Sequence, residues 1–143
     1  MKTFFLLLFY AKTIILTQEI TIGNEWVEIC PKNTFTAITG GASVEIDITN
    51  LLTNNDKNIS VINNDFIYKL FPPNSIQGEI ITSENEIIKI QYYGGISYGG
   101  KNDIRLILIS KKSIPTNKNF IKLRLKSKKT MNSVKVYWRN FTF

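Results

Sequence analysis

In "YYGGISYGGKND", Gly95 is followed after four residues by Gly100 and Lys101. This is the spacing of a loop that cradles a nucleotide's phosphates with backbone amides and a lysine. Such a loop also needs a helix behind it, whose N-terminal amides face the phosphates, and a hydroxyl after the lysine to hold magnesium. Here Asn102 takes the hydroxyl position, and the following "NDIRLILIS" is β-branched and without helical periodicity. A sheet-edge or hairpin connection is therefore expected at this stretch, with the glycines turning the chain from "EIIKIQYY" to "DIRLILIS". A nucleotide-dependent enzyme ranks last among the readings.

Other chemistry is limited by residue type. The chain has no histidine and a single cysteine, Cys30. That composition rules out an intramolecular disulfide, a zinc cluster of Cys and His, and any reaction that relies on a histidine base. Nothing near Cys30 supplies a base to a catalytic thiol, so it reads as a small buried hydrophobe. Glu79, Glu84 and Glu86 are scattered over a turn and a strand, without the geometry of a paired acid and base. No catalytic group, metal or cofactor is assigned. Sequons at Asn58 and Asn140 are what an Asn-rich chain produces by chance.

The elements that carry these residues are strands. No segment beyond the N-terminus keeps helical periodicity for three turns, and short β-branched runs are separated by Asn, Gly, Asp and Ser clusters. "SVEIDITN" places Val44, Ile46 and Ile48 on one face, and "TNNDKN" turns the chain. "ISVI" and "DFIYKLF" follow as strands, the latter stopped by Pro72 and Pro73. "EIIKIQYY", "DIRLILIS", "FIKLRLKS" and "SVKVYWRNFTF" complete the set. About seven strands with no repeat and no linker predict a single all-β domain, an immunoglobulin-like β-sandwich.

The N-terminus has a different pattern. Lys2 precedes an apolar run over residues 4–10, as in a secretory signal peptide. Lys12 interrupts the run, and residues 4–16 are too short to cross a bilayer core of about 30 Å. The expectation is a leader over residues 1–18, cut near Thr17 or Gln18, and a domain over 19–143 that is periplasmic or secreted. An uncleaved anchor and a buried first strand are the weaker readings.

Charge is divided unevenly. Residues 19–100 carry four Lys/Arg against ten Asp/Glu, whereas residues 101–143 carry twelve against Asp103 alone. Such a split suggests an anionic partner for the last third or a strongly protected sheet edge. Tyr137 and Trp138 could stack on bases, but the cations alternate with aliphatics along strands instead of clustering, so no nucleic-acid partner is assigned.

In their order the strands resemble the N-terminal domain of the periplasmic chaperones of the chaperone–usher pilus pathway. The likeness rests on "SVEIDITNLLTNNDKN", "FIYKLFPPNSIQGEIITSENEIIKI", "DIRLILISKKSIP" and "NFIKLRLKSKKTMNSVKVYWRN", and spans most of residues 20–140. The resemblance implies a chaperone-like protein, not an enzyme, that lends a strand to pilin subunits and cooperates with an usher. It implies that Ile121, Leu123 and Leu125 are the donated aliphatic triplet and that Lys135 is the basic anchor for a partner carboxylate. The family's arginine of the first strand has no counterpart in "NEWVEICP", and its second β-domain has none in these 143 residues. The same triplet also fits an ordinary core strand with a wet lysine face. The alternative function is a small binding protein, an inhibitor or immunity factor, that works through loops on the same sandwich. Self-association through an exposed edge strand is a further expectation.

Overall fold

A computed structural model describes residues 12–53, 63–98 and 103–140. Eight strands are present among them: β1 (Lys12–Ile22), β2 (Val27–Ile29), β3 (Ser43–Asp47), β4 (Ile76–Thr82), β5 (Ile87–Ser97), β6 (Arg105–Ile109), β7 (Phe120–Ser127) and β8 (Met131–Asn140). Two short helices, α1 (Thr49–Thr53) and α2 (Asn64–Leu70), lie between β3 and β4. The all-β expectation is borne out. The strands are joined side by side in one antiparallel sheet of order β1-β8-β3-β6-β5-β4-β7-β2. What links them is this single ladder, and among the described residues no second, facing sheet is formed.

The connectivity forces that sheet to roll up. Laid flat, eight strands spaced about 4.8 Å apart would set the edges about 34 Å from each other. Yet the two edge strands are β1 and β2, and the steps from Ile22 to Val27 reach at most about 18 Å. The sheet therefore curls into a nearly closed barrel around one core. Phe120 of β7 and Trp138 of β8 lie five strands apart in the sheet order, but their rings meet at 5.6 Å. Phe35 completes the cluster, 5.5 Å from Phe120 and 5.0 Å from Trp138.

The segment between β2 and β3 crosses one mouth of the barrel. Phe35 bridges to Phe120 with two backbone hydrogen bonds. Trp138 Nε1 and Asn140 Nδ2 both donate to Thr36 O, and Asn140 Oδ1 accepts from Ile38 N. Asn140 is thus buried with both the nitrogen and the oxygen of its amide hydrogen-bonded, which removes it as a glycosylation acceptor in the folded chain.

Several local expectations are corrected. "DFIYKLF" is helical over Asn64–Leu70: Asn63 Oδ1 caps Phe66 N at 3.0 Å, Asp65 and Lys69 suit the two ends of the helix dipole, and only Ile67 is fully buried. The double proline still ends the element, after Phe71 N bonds to Ile67 O. The glycines at 94 and 95 do not turn the chain, because β5 runs on to Ser97. They form a bulge against β6, where Tyr92 pairs with Leu108 and Gly95 with Ile107. Gly94 adopts φ +103 there, and its carbonyl accepts from Tyr68 of α2. Cys30 is exposed, not buried. "ISVI", most of "TNNDKN", Asn58, Gly100, Lys101 and Asn102 lie outside the described residues. So does the leader up to residue 11, while residues 12–18 form the first part of β1 on β8. The expected cut therefore falls inside a paired strand. Among the described residues no helix is long and apolar enough to cross a membrane.

A candidate peptide-binding edge on β5

The residues first singled out occupy three different settings. Leu123 and Leu125 point into the core and are fully buried. Ile121 was expected to join them, but it faces outward and is 37% exposed. The reason is a register shift between β4 and β7, where Ile81 pairs with Lys122 and Thr82 with Phe120, so that Phe120 takes the inward place. Lys135 is exposed on β8, opposite Asp47 of β3. Triplet and cation therefore lie on strands with no common neighbour. β7 is also occupied on both flanks, by β4 along Ile76–Thr82 and by β2 at Leu123, Arg124 and Leu125.

The cations of β7 are occupied as well. Arg124 pairs with Glu79 at 2.9 Å, Lys122 reaches Glu28 at 3.6 Å, and Lys126 lies over the Trp26 ring. On the other side of the barrel Glu45, almost fully buried, sits between Arg105 and Arg139 at 3.4 and 3.3 Å. Arg105 in turn covers the Tyr137 ring, and Trp138 is enclosed by Phe35 and Phe120. Much of the basic last third is thus neutralised or sheathed within the molecule.

Open main chain is found on β5 instead. This strand has eleven residues and its neighbour β6 has five. Pairing between them begins at Gln91 with Ile109 and runs toward Ser97. Residues 87–90 are paired to β4 on one side, Ile87 with Ile81 through Ile90 with Gly78. On the β6 side no strand pairs with them among the described residues. Alternate residues of such a half-paired strand present N–H and C=O groups to the vacant flank.

A half-open groove of about 540 Å³ runs along that flank. Its near wall is residues 87–91 and Tyr93, and its far wall is residues 110–113 with Pro115. The far wall is anchored beyond Ser113: Ile114 is buried, its N–H donates to Gly40 O, and a side chain at Gly40 would press on Ser113 Cβ at 3.0 Å. Ile87, 55% exposed, and Tyr93 offer apolar surface outside, while Ile88 and Ile90 continue the inner face. Lys89, Lys111 and Lys112 stand exposed around the opening, and no carboxylate lines it. Of the acids close by, Glu79 of β4 stands opposite Lys89 and is paired with Arg124 at 2.9 Å, and Glu84 and Glu86 of the β4–β5 turn are held by Lys118 at 3.3 and 2.8 Å. Hydrogen bonds to Glu86 and then Glu84 push the Lys118 ammonium above its ordinary pKa.

Sequence reasoning passed over this edge. Its trace is the doublet Ile87 and Ile88, which puts an apolar residue on both faces of a strand that otherwise alternates. Among the described residues no group of acids, cysteines and histidines could hold a metal ion. No family model, curated protein or solved structure matches the chain. The likeness to the pilus chaperones thus rests on the four stretches that suggested it.

Proposed function

We propose that the protein is a polypeptide-binding module without chemistry of its own, which holds its partner by strand addition along the vacant flank of β5. The carrying observation is the coincidence, at residues 87–90, of main chain unpaired on one flank with an apolar groove. An extended chain needs both: backbone groups give affinity, and alternate side chains find surface to cover. The chaperone-like reading puts the partner on β7 and the inhibitor-like reading puts it on loops; strand addition at β5 keeps the protein partner of both and moves the site. The lysine-led apolar N-terminus supports a periplasmic or secreted setting. Donation of β7 to a pilin through Ile121, Leu123 and Leu125 would require that strand to leave both β4 and β2 and to withdraw two core leucines. Accepting a strand at β5 breaks no pairing, so the geometry favours acceptance.

Selection of linear octapeptides from a random display library against the whole chain tests this. Selected peptides should shift the amide signals of residues 87–90 and 110–113. They should lose binding to Ile87→Asp and retain it with Ile121→Asp. Binders that ignore Ile87→Asp, or that respond to Ile121→Asp alone, would remove β5 as the site and favour β7.

A further inference from the structure

The vacant flank also constrains what can occupy it, and the following rests on the reading of β5 as the binding edge. Four residues of β5 lack a strand partner on the β6 flank, so the docked stretch is short, about 13 Å at the usual rise of about 3.3 Å per residue. It occupies the line that β6 leaves at Ile109, where the chain turns away into residues 110–119. In that position its alternate side chains meet two different environments. Those directed inward lie beside Ile88, Ile90 and Pro115 and must be apolar. Those directed outward come within reach of Lys89, Lys111 and Lys112.

These lysines differ from the cations elsewhere on the barrel. Lys122, Arg124, Arg105 and Arg139 each have a carboxylate of this chain within 4 Å, whereas no ion pair among the described residues engages Lys89, Lys111 or Lys112. The groove lining contains no acid, and the two glutamates at its Ile87 end are engaged by Lys118. Three unpaired cations around an apolar slot repel basic segments and attract acidic ones.

We infer that the segment recognised by this protein is a short extended strand alternating apolar with acidic residues. Its apolar side chains cover Ile88 and Pro115 while its carboxylates lie against Lys89, Lys111 and Lys112. Pairing is main chain to main chain, so the sequence demand is loose in side-chain identity and strict in charge.

Three fluorescently labelled octapeptides test the inference on the full chain by anisotropy: alternating Val/Glu, Val/Ser and Val/Lys. The Val/Glu peptide should bind about tenfold more tightly than Val/Ser, as three modest exposed ion pairs add up, and its advantage should shrink as salt is raised. The double substitution Lys111→Glu and Lys112→Glu should reverse the order so that Val/Lys binds best. Both positions are exposed, so the variant is expected to fold, and its amide spectrum checks that. A Val/Glu peptide N-methylated at every residue should not bind, because its main-chain donors are gone. Equal affinity of all three peptides, with Ile87→Asp still abolishing it, would overturn the acidic preference and leave the β5 edge standing. If none of the three binds, or if binding survives both N-methylation and Ile87→Asp, the edge itself is wrong.

Discussion

β5 and β7 are both long strands in the interior of the sheet order, and both mix apolar with basic residues, yet only β5 has main chain to spare. β7 is flanked by β4 and β2, and its basic side chains are tied to Glu28, Glu79 and Trp26. The first four residues of β5 have one neighbour, and the lysines around them are unpaired. The difference does not come from either strand's own pattern. It comes from the partner's length, since a five-residue β6 cannot cover an eleven-residue β5. Alternation reports which side chains face the core, and neighbour length decides which backbone remains available.

Leu123→Glu exerts the largest expected effect on this contrast. It places a carboxylate at a fully buried position in a doubly paired strand, and should cost more than about 4 kcal/mol, enough to abolish the dispersed amide spectrum of the folded chain. A folded Leu123→Glu variant would mean that β7 is freer than its pairing implies. Gly78→Ala comes next, because Gly78 lies on β4 between the two strands. A methyl group there would meet Ile90 Cγ1 at 2.8 Å and Leu125 Cδ2 at 3.0 Å. Overpacking should cost about 1–3 kcal/mol, read as a lowered urea midpoint at unchanged slope.

Tyr92 lies just past Gln91, where β5 passes from pairing with β4 to pairing with β6, and its hydroxyl donates to Phe71 O at 3.1 Å. Burial, with a smaller contribution from Tyr68, pushes its pKa from 10.0 up to about 12. The unfolded chain releases this proton near pH 10 and the folded chain only near 12. Its contribution to stability is therefore intact below pH 10 and is lost as the pH rises to about 12. Tyr92→Phe should cost about 1 kcal/mol at neutral pH for the lost hydrogen bond, and should flatten that alkaline decline in denaturation curves. The smallest effect belongs to Ile87→Asp, an exposed position where stability should change by no more than about 0.5 kcal/mol. A large loss of stability there would show that Ile87 belongs to the core and not to a binding edge.

Much of the sheet was legible from alternation. "FIKLRLKS" and the start of "SVEIDITN" emerge as β7 and β3, and "EIIKIQYY" and "DIRLILIS" as β5 and β6 to within a few residues. What escaped depended on information that is not local. α2 read as a strand because seven residues are too few to separate the two periods, although Asn63, Asp65 and Lys69 carry the helix signals. Residues 12–18 of β1 read as leader because a run of apolar residues and a strand share composition. Ile121 read as inward because a bulge, set by the register with β4, reverses the face after Phe120. Glu28, Glu45 and Glu79 hold the basic residues of the last third through pairings that only the folded sheet creates. The groove was hidden for the same reason, since no window of sequence reveals that β6 stops opposite Gln91.

The placement of β8 has a consequence for the timing of synthesis. β8 is the last described strand, but it is second in the sheet, between β1 and β3, with Lys12 opposite Asn140. Until residue 140 has been made, β1 has no partner and β3 has only half its pairing. At about 5–20 residues per second, the stretch from β1 to β8 takes about 6–24 s to emerge. Throughout that interval the nascent chain exposes its own apolar strands. Local pairings such as β4–β5 and β5–β6 form without β8, but the sheet closes only through contacts of the greatest sequence separation, which form slowly. The barrel is closed by the last of its described strands, which supplies the missing neighbour of β1 and of β3 at once.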